Sequence, residues 1–232
     1  YLLYTCPVPL VQSYRNDFNK YASKARIDHL RTLFNGTPRL LSQKFKYVNI
    51  DPNDKSRELS QAMNLLEDAS MVYRVYHSSA SGLPLTSQLD IKKFKVFCLD
   101  IGLVHRILGI PLSNLILEKK DLINKGGLAE QFVAQELISF TPMNETPLLN
   151  YWHRESKSSQ AEVDFVIQYQ GRIIPIEVKS GATGTLKSLH IFINEKKKQC
   201  LEAWKISPNI FSKDSFITNI PFYGIFKYFT PQ

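Results

Sequence analysis

Glu162-Val163-Asp164-Phe165-Val166-Ile167-Gln168 and Ile173-Ile174-Pro175-Ile176-Glu177-Val178-Lys179 are the two stretches that decide the fold of the chain's second half. Apolar residues alternate with polar ones in the first and are dense in the second, so both predict β-strands. The residues between them, Tyr169-Gln170-Gly171-Arg172, suit a hairpin. A two-residue loop at Gln170-Gly171 pairs Tyr169 with Arg172. Counting outward in that register sets Asp164 across from Glu177 and Glu162 across from Lys179. An odd-length loop would change the pairing. Alternation puts Asp164 opposite Val163, Phe165 and Ile167. It puts Glu177 with Lys179, away from Ile174, Ile176 and Val178.

Two carboxylates directly across a strand pair stand about 5 Å apart at Cβ and repel each other. A hard divalent cation, Mg²⁺ or Mn²⁺, relieves that repulsion, as does the ammonium of Lys179. The expected metal ligands are Asp164, Glu177 and the backbone carbonyl of Val178. A third carboxylate, Glu130, shares a helical face with Val133, Ala134 and Leu137. A carboxylate on an apolar face must be met by a metal, a lysine or a backbone donor. These parts suit metal-assisted hydrolysis of a phosphodiester, with Asp164, Glu177, Lys179 and Glu130 as the catalytic set and Lys179 orienting water or stabilising developing charge. The competing readings are a Glu162–Lys179 surface ion pair beside solvated carboxylates, and a nuclease fold whose catalysis is lost. His153 is weighed mainly as a structural histidine. The loop Ser180-Gly181-Ala182-Thr183-Gly184 has room for a substrate backbone but is no P-loop, and the chain holds no Walker motif.

Working outward, the second half reads helix, strand, hairpin, helix, strand: a helix from Gly126-Gly127 to about Phe140, a short strand at Tyr151–Arg154, the hairpin, and a mostly helical Ser188–Trp204. Strand-like sequence at Ile217–Tyr228 follows, with Pro221 at a strand edge. The first half reads as helices at Phe18–Phe34, Pro38–Ser42 and Asp54–Leu66, then strands at Ser70–Tyr76 and Phe94–Leu99. Three helices followed by a hairpin is the winged-helix order, a fold that often meets DNA through its third helix and its wing. Lys55 and Arg57 lie at that helix, and Arg74, Lys92, Lys93 and Lys95 lie in or beside the wing. Lys55, Arg57, Lys92 and Lys93 are the candidate phosphate contacts. The same order also serves protein–protein modules. The expected organisation is α/β: residues 1–115 a winged-helix-like segment, residues 116–232 an αβββαβ core, with the boundary near Pro111–Lys120.

Composition bounds the partners. Of the net charge of +8, residues 1–115 carry most, with 15 Lys and Arg against 9 Asp and Glu, whereas residues 116–232 hold 14 against 12. A basic half points to an anionic partner such as DNA, or to nothing more than a basic surface. No apolar run approaches the roughly 18–20 residues that span a bilayer. Cys6, Cys98 and Cys200 are far apart and form no CxxC, which excludes a cysteine-based zinc cluster and suits a reducing, cytoplasmic setting. The opening, Tyr1 to Pro7, lacks a charged leader and reads as a segment cut from something longer.

Glu130, Tyr151-Trp152-His153-Arg154, Glu162–Ile167 and Ile176-Glu177-Val178-Lys179-Ser180 together form a pattern that resembles a large prokaryotic family of AAA-type ATPases. Lys95–Leu103 and Ser188-Leu189 before Phe192 match it too, so the likeness runs from about Asp17 to Tyr228. Val163, rather than a proline, precedes Asp164. The resemblance implies a C-terminal domain similar to the PD-(D/E)xK nuclease superfamily, with a restriction-endonuclease-like core, joined through a winged-helix segment to an ATPase module N-terminal to Tyr1. On that reading ATP is used only by that missing module, and the partners are DNA, the ATPase module and a second copy of the chain.

Overall fold

The computed structural model describes residues 8–21, 24–110, 125–142, 145–154 and 160–229. The boundary expected at Pro111–Lys120, Cys6 and the opening Tyr1–Pro7 lie outside them. The chain divides into two compact units, Tyr1–Arg74 with Lys95–Gln131, and Val75–Phe94 with Phe132–Gln232.

The first unit is mainly helical. It contains α1 (Val8–Tyr21), α2 (Lys24–Gly36), α3 (Ser56–Asp68) and α4 (Ile101–Leu108). The single helix expected at Phe18–Phe34 is divided between α1 and α2. Phe18 and Phe34 meet edge to face with ring centroids 5.5 Å apart, whereas 16 residues of one straight helix would separate them by about 24 Å. Burying those rings against each other outweighs continuing one helix. Pro38 lies in the first turn of a short 3₁₀ helix, Thr37–Leu40, which ends before the Ser42 expected from the sequence. In α3, Leu59, Ala62, Met63 and Leu66 are buried on one face, at the spacing the sequence shows. The sequence reading did not include α4. Asp100 caps it by accepting the Leu103 N–H at 3.1 Å, and Gly109 (φ 66°) ends it in the left-handed conformation.

Two strands, β1 (Val72–Ser78) and β2 (Leu89–Cys98), run through both units. The sequence places them as the wing hairpin of a winged-helix-like segment. In addition, β1 pairs in parallel with β3 (Asn150–His153), through Tyr76↔Asn150 and His77↔Tyr151. The hairpin is thereby the margin of a larger sheet.

The second unit is built on that sheet. Among the described residues it has eight strands in the order β2-β1-β3-β4-β5-β6-β8-β7, with β4 (Glu162–Tyr169), β5 (Arg172–Val178), β6 (Ala203–Ser207), β7 (Ser212–Asp214) and β8 (Ile217–Pro221). The helices are α5 (Lys125–Ser139), whose first turns belong to the first unit, α6 (Lys187–Glu195) and α7 (Ile225–Phe229). From α5 to β6 the order is helix, three strands, helix, strand. β5, β6 and β8 are parallel neighbours.

The helix expected at Ser188–Trp204 ends at Glu195, and Ala203-Trp204-Lys205-Ile206-Ser207 is a strand. Its residues are buried on both sides except Lys205, so its run shows no amphipathic period for a sequence reading to catch. The expected strand at Ile217–Tyr228 stops at Pro221, where the chain turns into α7. One sheet face packs on α6 through Trp152, Val163, Val166, Ile173, Leu189, Phe192 and Ala203. Cys98 and Cys200 are buried free thiols. Among the described residues no helix is long and apolar enough to cross a membrane.

Candidate functional site

The β4–β5 hairpin turns on Gln170 (φ 49°) and Gly171 (φ 72°), both left-handed, as a tight two-residue loop requires. The register then runs Tyr169↔Arg172, Gln168↔Ile173, Ile167↔Ile174, Val166↔Pro175 and Phe165↔Ile176. The ladder ends there, and the same count carried one step further reaches Asp164 and Glu177, the two residues that the two-residue loop sets opposite each other.

On its other edge β4 departs from strict alternation. Asn150 pairs with Val166, but Trp152 pairs with Val163, so β4 spends three residues where β3 spends two. This is a β-bulge at Asp164–Phe165. Val163 and Val166 consequently pack into the same core, where strict alternation would have sent them to opposite faces. The bulge re-aims Asp164. Its Oδ2 accepts the backbone N–H of Val178 at 2.8 Å, a donor on the β4 side of β5. Asp164 therefore closes the ladder where the strands part.

Glu177 is 6% exposed and accepts a hydrogen bond from Lys179 Nζ at 2.6 Å. Lys179 is half-buried, and its backbone N–H is held by the carbonyl of Ile206 at 2.8 Å. The aliphatic stem of Lys179 lies against Gly184, where a Cβ would come within 3.0 Å of Cδ. Asn209 donates to the carbonyl of Ala182 at 2.9 Å, tying this loop to the segment after β6. Lys205 is the register partner of Glu177 on β6, so a second cation stands on the same row. The sequence names Gly184 only as part of the loop Ser180–Gly184, and nothing local in it marks Lys205 or Asn209.

Glu130 lies in the first unit. It is 9% exposed and faces Lys95, itself 1% exposed, at 3.4 Å. A lysine therefore meets the carboxylate that the sequence required to be met. Lys95 is thereby withdrawn from the exposed wing cations. Next to Glu130, Gln131 bonds both the N–H and the carbonyl of Cys98, each at 2.8 Å. Arg74 is tied to Glu67 at 2.9 Å and to Asn64 at 2.6 Å. Of the four candidate phosphate contacts, Lys55 and Arg57 are exposed in the first unit. Lys92 is exposed in the second unit, while Lys93 pairs with Asp90 at 3.2 Å. His153 lies edge-on to His77 with centroids 4.0 Å apart, and its register partner on β4 is Glu162.

The donor set on the hairpin is two carboxylates and a carbonyl, all hard oxygens that suit Mg²⁺ or Mn²⁺ by type. Among the described residues no three His, Cys, Asp or Glu side chains gather into a metal cluster. A cation at Asp164 and Glu177 would therefore keep much of its own water, which is the habit of Mg²⁺.

Residues 125–216 match the model of a family described as a domain of unknown function, DUF4143. Residues 10–114 match a second, also described as a domain of unknown function, DUF8612. No curated protein and no solved structure matches the chain.

Proposed function

We propose that the second unit is a metal-dependent phosphodiesterase domain of PD-(D/E)xK type acting on DNA, working with an AAA-type ATPase module that lies outside these 232 residues. The observation that carries this reading is the convergence of Asp164, Glu177 and Lys179 at the parting of β4 and β5. Asp164 is aimed by the bulge and the Val178 N–H, and Glu177 and Lys179 are in contact. In this reading Asp164 and Glu177 hold the cation, with the Val178 carbonyl as a further donor. The bound ion supplies Lewis acidity toward a phosphate oxygen and a water. Lys179 contributes positive charge where negative charge develops on the phosphate. Gly184 and the Ile206 carbonyl position Lys179. Exposed Lys55, Arg57 and Lys92 supply phosphate contacts in their respective units.

One observation favours a second reading. The 2.6 Å Lys179–Glu177 pair satisfies both charges without any ion. The same geometry thus serves a module that binds DNA or protein for the ATPase without cutting. Incubation with single-stranded, duplex and branched DNA in millimolar Mg²⁺ or Mn²⁺ separates the two. Cleavage that Lys179→Ala abolishes while DNA binding persists supports the nuclease. No cleavage of any form, with no Mn²⁺ bound by calorimetry, overturns it. A steep salt dependence of affinity then identifies the DNA-binding module, because phosphate contacts release counterions.

A further inference from the structure

On the sheet face opposite Glu177, the second unit holds a cavity of about 920 Å³ lined by Tyr169, Ile174, Trp204, Phe211, Tyr223 and Tyr228, among others. Phe211 is 55% exposed and Tyr223 80% exposed, so both present ring surface to an occupant. Trp204, by contrast, is enclosed by Tyr169, Tyr228 and Phe229, with centroids 5.0–5.3 Å away.

A carboxylate is built into this aromatic wall. Oε1 of Glu202 accepts Trp204 Nε1–H at 3.1 Å, Thr218 Oγ1–H at 3.0 Å and Tyr228 O–H at 3.3 Å. Three donors saturate that oxygen and fix the carboxylate plane, leaving Oε2 as the acceptor for a ligand. Arg172 and Lys227 line the same cavity, and Lys213 Nζ is 4.0 Å from Glu202 Oε1. The occupant that fits is anionic, carries a flat aromatic group for Phe211 and Tyr223, and offers a donor to Oε2.

We propose that this cavity binds a nucleotide whose base bears an exocyclic amino group, with Glu202 accepting from that amino group and Arg172 and Lys227 holding the phosphate. Stacking on tyrosine or phenylalanine tolerates any base, so Glu202 makes the selection. Adenine, cytosine and guanine present an amino group. Uracil and thymine present only an N–H between two carbonyl oxygens, which a carboxylate repels. The proposal does not depend on the reading of Asp164, Glu177 and Lys179.

The chain has two tryptophans, Trp152 and Trp204. The indole N–H resonance of Trp204 reports directly on Glu202, and that of Trp152, packed beneath α6, is the internal control. Titration of the whole chain with AMP is expected to move the Trp204 signal and leave Trp152 still, with UMP weaker by roughly tenfold or more. Glu202→Gln keeps an oxygen for the three donors and turns an amide N–H₂ toward the ligand. It should reverse the preference to UMP over AMP. Lys227→Ala should weaken AMP without affecting adenosine. Parallel titrations with oligo-dA and oligo-dT separate the sources of the nucleotide: saturation by AMP marks a free nucleotide, and a response to oligo-dA alone marks an unstacked base of a strand. A Trp204 signal indifferent to every nucleotide, or the same base preference in wild type and Glu202→Gln, overturns the proposal.

Discussion

The carboxylate of Asp164 accepts the backbone N–H of Val178 at 2.8 Å, so a side chain replaces a rung of the β4–β5 ladder where the hairpin opens. Two roles meet in this one bond. It ends the strand pairing, and it holds a carboxylate beside the next residue of the opposite strand, Glu177. A conventional ladder bond would have kept the strands together and left no opening.

The two roles are separable by substitution. Asp164→Asn retains an oxygen for the Val178 N–H, so its stability should stay within about 1 kcal/mol of wild type. Asp164→Ala leaves that donor unmet and should cost about 1–3 kcal/mol. Urea unfolding checks both. Under the proposed chemistry both variants lose metal-dependent cleavage. A cleavage-competent Asp164→Asn would remove Asp164 from the metal.

Much of this region was legible because its determinants are local. Gln170-Gly171 sets the turn, the turn sets the register, and the register carries Asp164 to Glu177 by counting alone. The bulge was not legible, because it is imposed by β3: Trp152 and Val163 must share a core with Val166 and Phe192. Strand β6 was hidden for a related reason. Ala203-Trp204-Lys205-Ile206-Ser207 is enclosed between β5 and β8, and a strand buried on both faces carries no period of its own. The parallel pairing of β1 was not legible because its partner, β3, lies more than 70 residues away in the chain. Glu130 was legible as a carboxylate needing a partner. Lys95 was not legible as that partner, since nothing local distinguishes it from the exposed Lys92.

Gly184→Ala tests how Lys179 is positioned. The added methyl would lie 3.0 Å from Lys179 Cδ and 3.4 Å from Cε. The side chain of Lys179 can yield, but Gly184 has φ 155°, a conformation that L residues rarely adopt, so the substitution should also cost about 1–3 kcal/mol of stability. The ammonium would shift from Glu177, and a misplaced catalytic group loses rate steeply. The expected outcome is cleavage reduced roughly tenfold or more with DNA affinity unchanged. Equal turnover in the two proteins would show that Gly184 has no hold on Lys179.

Lys95 and Glu130 form a buried pair at 3.4 Å. Removing one partner takes this ion pair away from the buried charge that stays, so Lys95→Met or Glu130→Leu alone should destabilise by about 3–5 kcal/mol. Replacing both together should recover most of that loss or exceed wild type, because the two desolvation costs disappear with the charges. A double-mutant cycle by chemical denaturation measures the coupling. Additive losses would mean the two side chains do not depend on each other.

His105 in α4 is 5% exposed, and neither ring nitrogen has a hydrogen-bond partner. Burial pushes its pKa below the ordinary 6.5, partly opposed by the negative charge of Asp100. The folded chain therefore resists a proton that the unfolded chain accepts. As pH falls through 6.5 the unfolded state takes up that proton first, and stability drops by up to ~1.4 kcal/mol per pH unit. Once the pH passes below the depressed folded value, both states are protonated and the loss stops growing. Above 6.5 the group is neutral in both states and contributes no slope. His105→Leu removes this titration while keeping an apolar side chain in place. The difference in unfolding free energy between wild type and variant should be flat above pH 7 and should open in favour of the variant as pH falls below 6.5. Taking the difference isolates the titration of His105 from the rest of the chain. A difference independent of pH from 5 to 8 would show that His105 is already solvated in the folded chain.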